Sequence, residues 1–199
     1  MGTKENMLEN MKTEIESYYD HYVYLADMIE VYLHLDKILP IARQENIGIN
    51  FLKTTHAATI DSMMMNLSRL FDDDKQSKSI PQLIDKCRKH SNLLDDRNSF
   101  EKQLDEFKYK LEADECLSSA VKIIKMRRDK LFAHNDKKFF NDPDKDESYL
   151  AMYKIWMLRE YTKEVLVFCG KSFEVNFTKN TIYNGDLDVL IKNGGTHHT

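Results

Sequence analysis

Arg128 and His134 stand in the most basic segment of the chain, residues 122–138, which reads KIIKMRRDKLFAHNDKK. Seven Lys or Arg against two Asp give this segment +5, in a chain of net charge -4. A guanidinium is a permanently charged planar fork that suits a phosphate, and an imidazole with an ordinary pKa of about 6.5 exchanges protons at neutral pH. Together they could cleave RNA without a metal, since a base activates the ribose 2′-hydroxyl and fixed positive charge stabilises the phosphorane.

The spacing of these two residues places a condition on that chemistry. Six residues along a helix correspond to a rotation of about 600°, or about 240° beyond a full turn, so Arg128 and His134 do not share one helix face. Either the helix ends near Ala133 and redirects His134, or a second copy of the chain supplies the complementary group across a two-fold axis. An Arg and a His at this spacing are also common by chance. A longer stretch of similarity to a known family is therefore needed before the pair can be assigned a function.

Two longer strings supply that match. They are RDKLFAHND (residues 128–136) and NLSRLFDDDKQS (residues 66–77). With the order of the helices, they resemble the HEPN domains, and within them the AbiU-like branch linked to bacterial abortive infection. The resemblance spans most of residues 5–170. It implies an all-α bundle, a homodimer with one composite cleft, and a metal-independent endoribonuclease of phage defence or a toxin, with RNA as substrate and an antitoxin as a further partner.

Carried over by position, Arg128 and His134 correspond to the Arg and His of the family motif, and Asp129 to its polar position. We therefore expect Arg128 and His134 to be catalytic, with Asp129 and Asn135 in supporting roles. Four further basic residues are expected to bind the RNA backbone. They are Lys122, Lys125, Arg127 and Lys130.

Structural interpretations stand beside these functional ones. The dipole at a helix C-terminus attracts Arg and His by itself, and the chain could be a non-catalytic helical dimer that binds nucleotide, RNA or a partner protein. Asp129 could orient Arg128, or form an ordinary surface pair with Lys125 or Lys122. Asn135 could contact a phosphate or base, or simply end the helix.

Arg69 lies in the second string. We expect it to pair with Asp72 or Asp73, which follow three and four residues later. Four tyrosines of the first helix cover more than one face and suggest an interface. They are Tyr18, Tyr19, Tyr22 and Tyr24.

The rest of the sequence predicts the helices that must position this segment. Only six Gly and three Pro occur in 199 residues, and apolar residues recur at helical spacing, which predicts an all-α bundle of about five to six helices. The expected helices cover residues 5–39, 49–71, 80–90, 96–135 with a break near Asp114, and 149–173. Pro40 is expected to end the first, and Ser79 to cap the third with its hydroxyl.

The C-terminal part is harder to assign. Residues 173–177 alternate like a strand, whereas residues 186–193, followed by Gly194, favour a short helix. We expect a single domain over residues 1–178 and a partly disordered extension over residues 179–199.

Composition and motifs exclude several classes. No Gly-rich phosphate loop is present, and the half zinc pattern Cys87-x-x-His90 has no second half, so neither a cofactor nor a metal is expected. The longest apolar runs are far too short for a membrane span. Three widely spaced cysteines fit reduced, packed thiols. We expect a cytoplasmic protein.

Overall fold

The structure is a computed structural model that describes residues 2–46, 48–74, 76–129 and 150–177. Over these ranges the chain forms six α-helices and a short 3₁₀ turn, with no strand, which confirms the predicted all-α bundle. The helices are α1 (Gly2–Glu45), α2 (Ile49–Leu70), α3 (Ile80–Lys89), α4 (Arg97–Ala113), α5 (Glu115–Arg127) and α6 (Met152–Ser172), and the 3₁₀ turn is Ser91–Leu93. Residues 173–177 form no strand, and the short helix expected over 186–193 lies outside the described residues.

The prediction that Pro40 ends the first helix is wrong. α1 runs through Pro40 to Glu45 and ends where Asn46 takes a positive φ of 53°. Proline removes one helical hydrogen bond, but apolar side chains on both sides of it pack against α2 and hold the helix together. This cluster contains Leu35, Ile38, Leu39, Ala42 and Leu52.

Side-chain caps account for two of the remaining helix starts, those of α4 and α5. Asp96 accepts a hydrogen bond from the Ser99 amide at 3.3 Å and caps α4. The helix break expected near Asp114 is confirmed, because α4 ends at Ala113 and the Asp114 side chain caps α5. Ser79 begins α3 as predicted, but its hydroxyl makes no capping bond. Pro81, the second residue of α3, has no N–H group that could donate to this hydroxyl.

The core lies along one side of α1, which packs against α2, α3 and α6. Tyr18 and Tyr22 are buried in it, so the interface expected for the α1 tyrosines is wrong for these two, whereas Tyr24 is exposed. The free thiols of Cys87 and Cys169 are also buried here, as predicted.

α5 packs against α2, α4 and α6, so its outer side faces solvent beside the end of α2. Among the helices that the structure describes, none is both long enough and apolar enough to cross a membrane.

Candidate functional site

The N-terminal cap and the buried face of α5 together fix the direction in which its basic side chains point. The Asp114 carboxylate accepts hydrogen bonds from the amides of Cys116 and Leu117 at 2.9 Å and 3.1 Å. Three side chains of the helix are fully packed in the bundle: Leu117, Ala120 and Ile124. Because each residue turns a helix by about 100°, Arg127 and Arg128 project on either side of Ile124.

Arg128 is held by two carboxylates. Its Nη1 lies 2.8 Å from an oxygen of Asp72, and its Nε donates to Asp129 at 2.8 Å. Hydrogen bonds to Asp129 and then Asp72 raise the pKa of the guanidinium above its ordinary value, so it carries its charge at every physiological pH. These contacts use two of its five N–H groups and fix the plane of the fork.

Asp72 comes from a distant part of the chain, directly after α2. Its amide donates to the Arg69 carbonyl at 3.4 Å, and its carboxylate accepts from the Asp74 amide at 3.2 Å. Burial acts to raise the pKa of Asp72, but the hydrogen bonds from Arg128 and from the backbone outweigh it, so the pKa is lowered. The turn after α2 therefore presents a charged acceptor to α5.

Lys125 forms a second bridge between the same two elements, through an ion pair with Asp73. Lys122, one turn earlier on α5, is exposed and forms no ion pair with a described residue. Lys125 and Arg128 therefore attach the end of α5 to the turn after α2, and Lys122 extends the same side toward solvent.

Arg127 points the other way. It is partly buried, its Nε has no hydrogen-bond partner among the described residues, and burial lowers its pKa while the charge of Asp61 on α2 opposes that effect. The predicted RNA-binding residues are thus divided between two sides of α5. Whether Arg127 contacts RNA stays a prediction.

In the folded chain, carboxylates from other elements offset the positive charge of the basic segment, residues 122–138, over its described part. Over the described part of the segment, residues 122–129, four carboxylates lie beside three of the four basic side chains, and Lys122 is the exception. These carboxylates are Asp61, Asp72, Asp73 and Asp129. The site therefore holds cations that are oriented by neighbouring carboxylates rather than an unbalanced positive field.

The prediction that Arg69 pairs with Asp72 or Asp73 is wrong. Asp72 pairs with Arg128 and Asp73 with Lys125. The short-range helical rule fails because α2 ends at Leu70, and the turn that follows directs both carboxylates toward α5. Arg69 instead lines a pocket of about 170 Å³ with His21 and Lys78.

Of the two readings of Asp129, the structure shows the pair with Arg128 and no pair with Lys122 or Lys125. The Asp72 contact is the feature that sequence reasoning missed, since 56 residues separate the partners and no local spacing links them. The predicted residues His134, Asn135 and Lys130 lie outside the described residues. In the parts of the chain that the structure describes, no group of three or more His, Cys, Asp or Glu side chains could hold a metal ion.

The all-α bundle and the Arg–Asp pair at the end of its fifth helix have the features of a HEPN-type helical domain. The family model HEPN_AbiU2, described as AbiU2, matches residues 5–172, and the chain belongs to this HEPN-type family of abortive-infection proteins. The predicted family is therefore confirmed. Neither a curated protein nor a solved structure gives a match.

Proposed function

We propose that this protein is a metal-independent endoribonuclease of the HEPN type that acts in phage defence or as a toxin. The observation that supports the proposal is the anchored guanidinium of Arg128, which is fixed by Asp72 and Asp129 and keeps three N–H groups for a further acceptor. A guanidinium held in advance stabilises developing phosphorane charge without being reoriented during the reaction.

In the proposed reaction, His134 removes the proton of a ribose 2′-hydroxyl. The 2′-oxygen forms a bond to the adjacent phosphorus, and Arg128 stabilises the charge on the phosphorane oxygens. The bond from phosphorus to the 5′-oxygen then breaks, and an imidazolium protonates the leaving oxygen. The products are a 2′,3′-cyclic phosphate and a 5′-hydroxyl end.

The proposal includes a homodimer, because two residues six positions apart on one helix would not share a face. In a composite cleft, Arg128 of one copy and His134 of the other act on the same phosphodiester. Asn135 would support that cleft, and four basic residues would bind the flanking phosphates: Lys122, Lys125, Arg127 and Lys130.

A second candidate function is a non-catalytic helical dimer that binds nucleotide, RNA or a partner protein. The charge balance around α5 favours it, since Asp72 and Asp73 make Arg128 and Lys125 into links between α5 and the turn after α2. On this alternative the two ion pairs stabilise the fold and have no chemical task.

Cleavage assays with purified protein separate the two. We expect the wild type to cut RNA in EDTA and to leave 2′,3′-cyclic phosphate ends, and Arg128→Ala and His134→Ala to lower the rate by about 10²-fold or more while remaining folded. Arg97→Ala is the matched control, because Arg97 is an exposed arginine that pairs with Glu101 at the start of α4. Wild-type cutting by His134→Ala would refute the catalytic assignment, and binding of varied RNAs without cleavage would favour the alternative.

Mixing the two inactive variants tests the composite cleft. If each site takes Arg128 from one copy and His134 from the other, a heterodimer of Arg128→Ala and His134→Ala retains one complete site, so activity returns on mixing. If both groups act within one copy, each half of the heterodimer lacks a residue and the mixture stays inactive.

A further inference from the structure

A groove of about 470 Å³ opens beside the Arg128 site. It lies between α3, α4, α5 and the segment that follows α2, and its volume is in the range of pockets that hold small ligands. The apolar part of its lining is formed by Phe71, Pro81, Ile84, Leu111, Val121 and Tyr161. A flat ring can therefore be covered here by aliphatic and aromatic carbon.

The charges around this groove differ between its two ends. Glu112, in the last turn of α4, and Ser118, in the first turns of α5, lie where these two helices meet. Lys122 and Lys125 lie further along α5, about 6 Å and about 10 Å from Ser118 by the rise of a helix. One end thus carries a carboxylate and a hydroxyl, and the other carries two lysines, of which Lys125 pairs with Asp73.

Glu112 stands against its local preference. A carboxylate in the last turn of a helix is disfavoured by the helix dipole, and Glu112 is exposed to solvent and forms no ion pair with a described residue. The Tyr161 hydroxyl cannot satisfy it, since that group donates to the Phe107 carbonyl at 3.1 Å. Burial, with the nearby charges of Cys169, Glu164 and Glu112, raises the pKa of Tyr161, which is consistent with a carboxylate close to this end of the groove.

The other charged groups of the lining are paired. Lys108 pairs with Asp85, and Lys125 with Asp73. Lys122 is therefore the cation of the groove that has no described carboxylate to displace, and it is the side chain best able to accept a new anion.

We infer that this groove binds a single unstacked guanine nucleotide, with its base on the apolar lining, its N–H edge toward Glu112 and its phosphate toward Lys122. Guanine presents two adjacent N–H donors to a carboxylate, whereas the Watson–Crick edges of the other bases offer no such pair. Mixed apolar and charged lining is how unstacked bases are bound in proteins. The inference rests on the proposed function, because the bound guanine nucleotide would be one residue of the RNA substrate that lies beside Arg128.

Binding of mononucleotides to the wild-type full chain tests this directly, because these probes contain no phosphodiester to cut. We expect titration by calorimetry or NMR to show that guanosine 5′-monophosphate binds more tightly than the adenine, cytosine and uracil monophosphates. Glu112→Gln should weaken guanosine 5′-monophosphate about tenfold, the size of one charge-assisted hydrogen bond, and should reduce the difference from the other nucleotides.

A second pair of variants tests the phosphate end. Lys122→Ala should weaken guanosine 5′-monophosphate and leave guanosine unchanged, because only the nucleotide carries the phosphate. Glu106→Gln and Lys102→Ala are matched controls, since these residues are exposed on α4 and do not line the groove. Equal binding of all four nucleotides, or no loss in Glu112→Gln, would overturn the assignment, as would an absence of binding.

The failure of this inference can be told apart from a failure of the proposed function. Guanosine 5′-monophosphate that binds in the groove of a protein unable to cut any RNA would sustain the groove and refute the nuclease. RNA cleavage that proceeds at the same positions in the wild type and in Glu112→Gln would sustain the nuclease and refute the groove.

Discussion

Replacing Asp72 by Asn tests whether the turn after α2 holds Arg128 in place. The change keeps the shape of the side chain and removes the charge that faces Nη1 at 2.8 Å. Both side chains are about one quarter to one third exposed, at 24% for Asp72 and 30% for Arg128. An exposed pair contributes about 0.2–1 kcal/mol and a buried charged hydrogen bond about 1.5–3 kcal/mol, so we expect a loss of about 1 kcal/mol.

The pH dependence of this loss has a definite sign. The folded protein lowers the pKa of Asp72 below its ordinary value of 3.8. A group whose pKa is lowered on folding contributes stability above its unfolded pKa, and that contribution disappears as the pH falls through the folded pKa. The difference between wild type and Asp72→Asn should therefore be constant above about pH 5 and shrink in more acidic solution.

Urea unfolding of both proteins from neutral to acidic pH measures this difference. Asp73→Asn is the matched control, because Asp73 is 78% exposed and its pair with Lys125 should contribute about 0–0.5 kcal/mol. Equal losses in the two variants would refute the anchoring role of Asp72. So would a loss from Asp72→Asn that increases as the pH is lowered.

Three further predictions concern the helices that position the site. Asp114→Ala removes the cap of α5 and should lower the free energy of unfolding by about 1 kcal/mol in urea titrations, whereas no loss would show that the cap does not hold α5. Pro40→Ala restores a helical hydrogen bond inside α1 and should raise the free energy of unfolding by about 1–3 kcal/mol. A decrease in the free energy of unfolding would contradict an unbroken α1. Glu174 has a positive φ of 57° after α6, so Glu174→Gly should stabilise by about 0.5–1 kcal/mol in the same assay, and a destabilised variant would refute strain there.

The sequence predicted the helices well because their apolar periodicity and their caps are local features. Asp114 interrupts a long helical pattern, and its carboxylate supplies the cap that the interruption requires. Pro40 misled the prediction because its cost is local, whereas the packing that offsets it comes from α2. Local rules of this kind describe single elements and cannot include a neighbouring helix.

The candidate site was predicted only in part, for a related reason. The basic residues of α5 could be found from composition and from the family resemblance, but the carboxylates that balance them could not. Asp72 and Asp73 were assigned to Arg69 because that residue is near in sequence, and only the direction of the turn after α2 brings them to Arg128 and Lys125. A charge count along the chain therefore overstated the positive field.

If the protein binds RNA as proposed, the pairing of Arg128 and Lys125 with carboxylates limits which contacts can supply the affinity for RNA. A phosphate that approaches Arg128 or Lys125 competes with the carboxylates of Asp72 and Asp73, so it gains little from simple charge attraction at that point. Sites that rely on counterion release need several cations without local partners, and on this side of α5 the described residues supply Lys122. The remaining affinity must then come from contacts that a phosphate alone cannot make, such as a base held in the adjacent groove or a second copy of the chain across the cleft. A short RNA should consequently bind with a shallow dependence on salt concentration, and a steep dependence would show that the carboxylates yield to the phosphates.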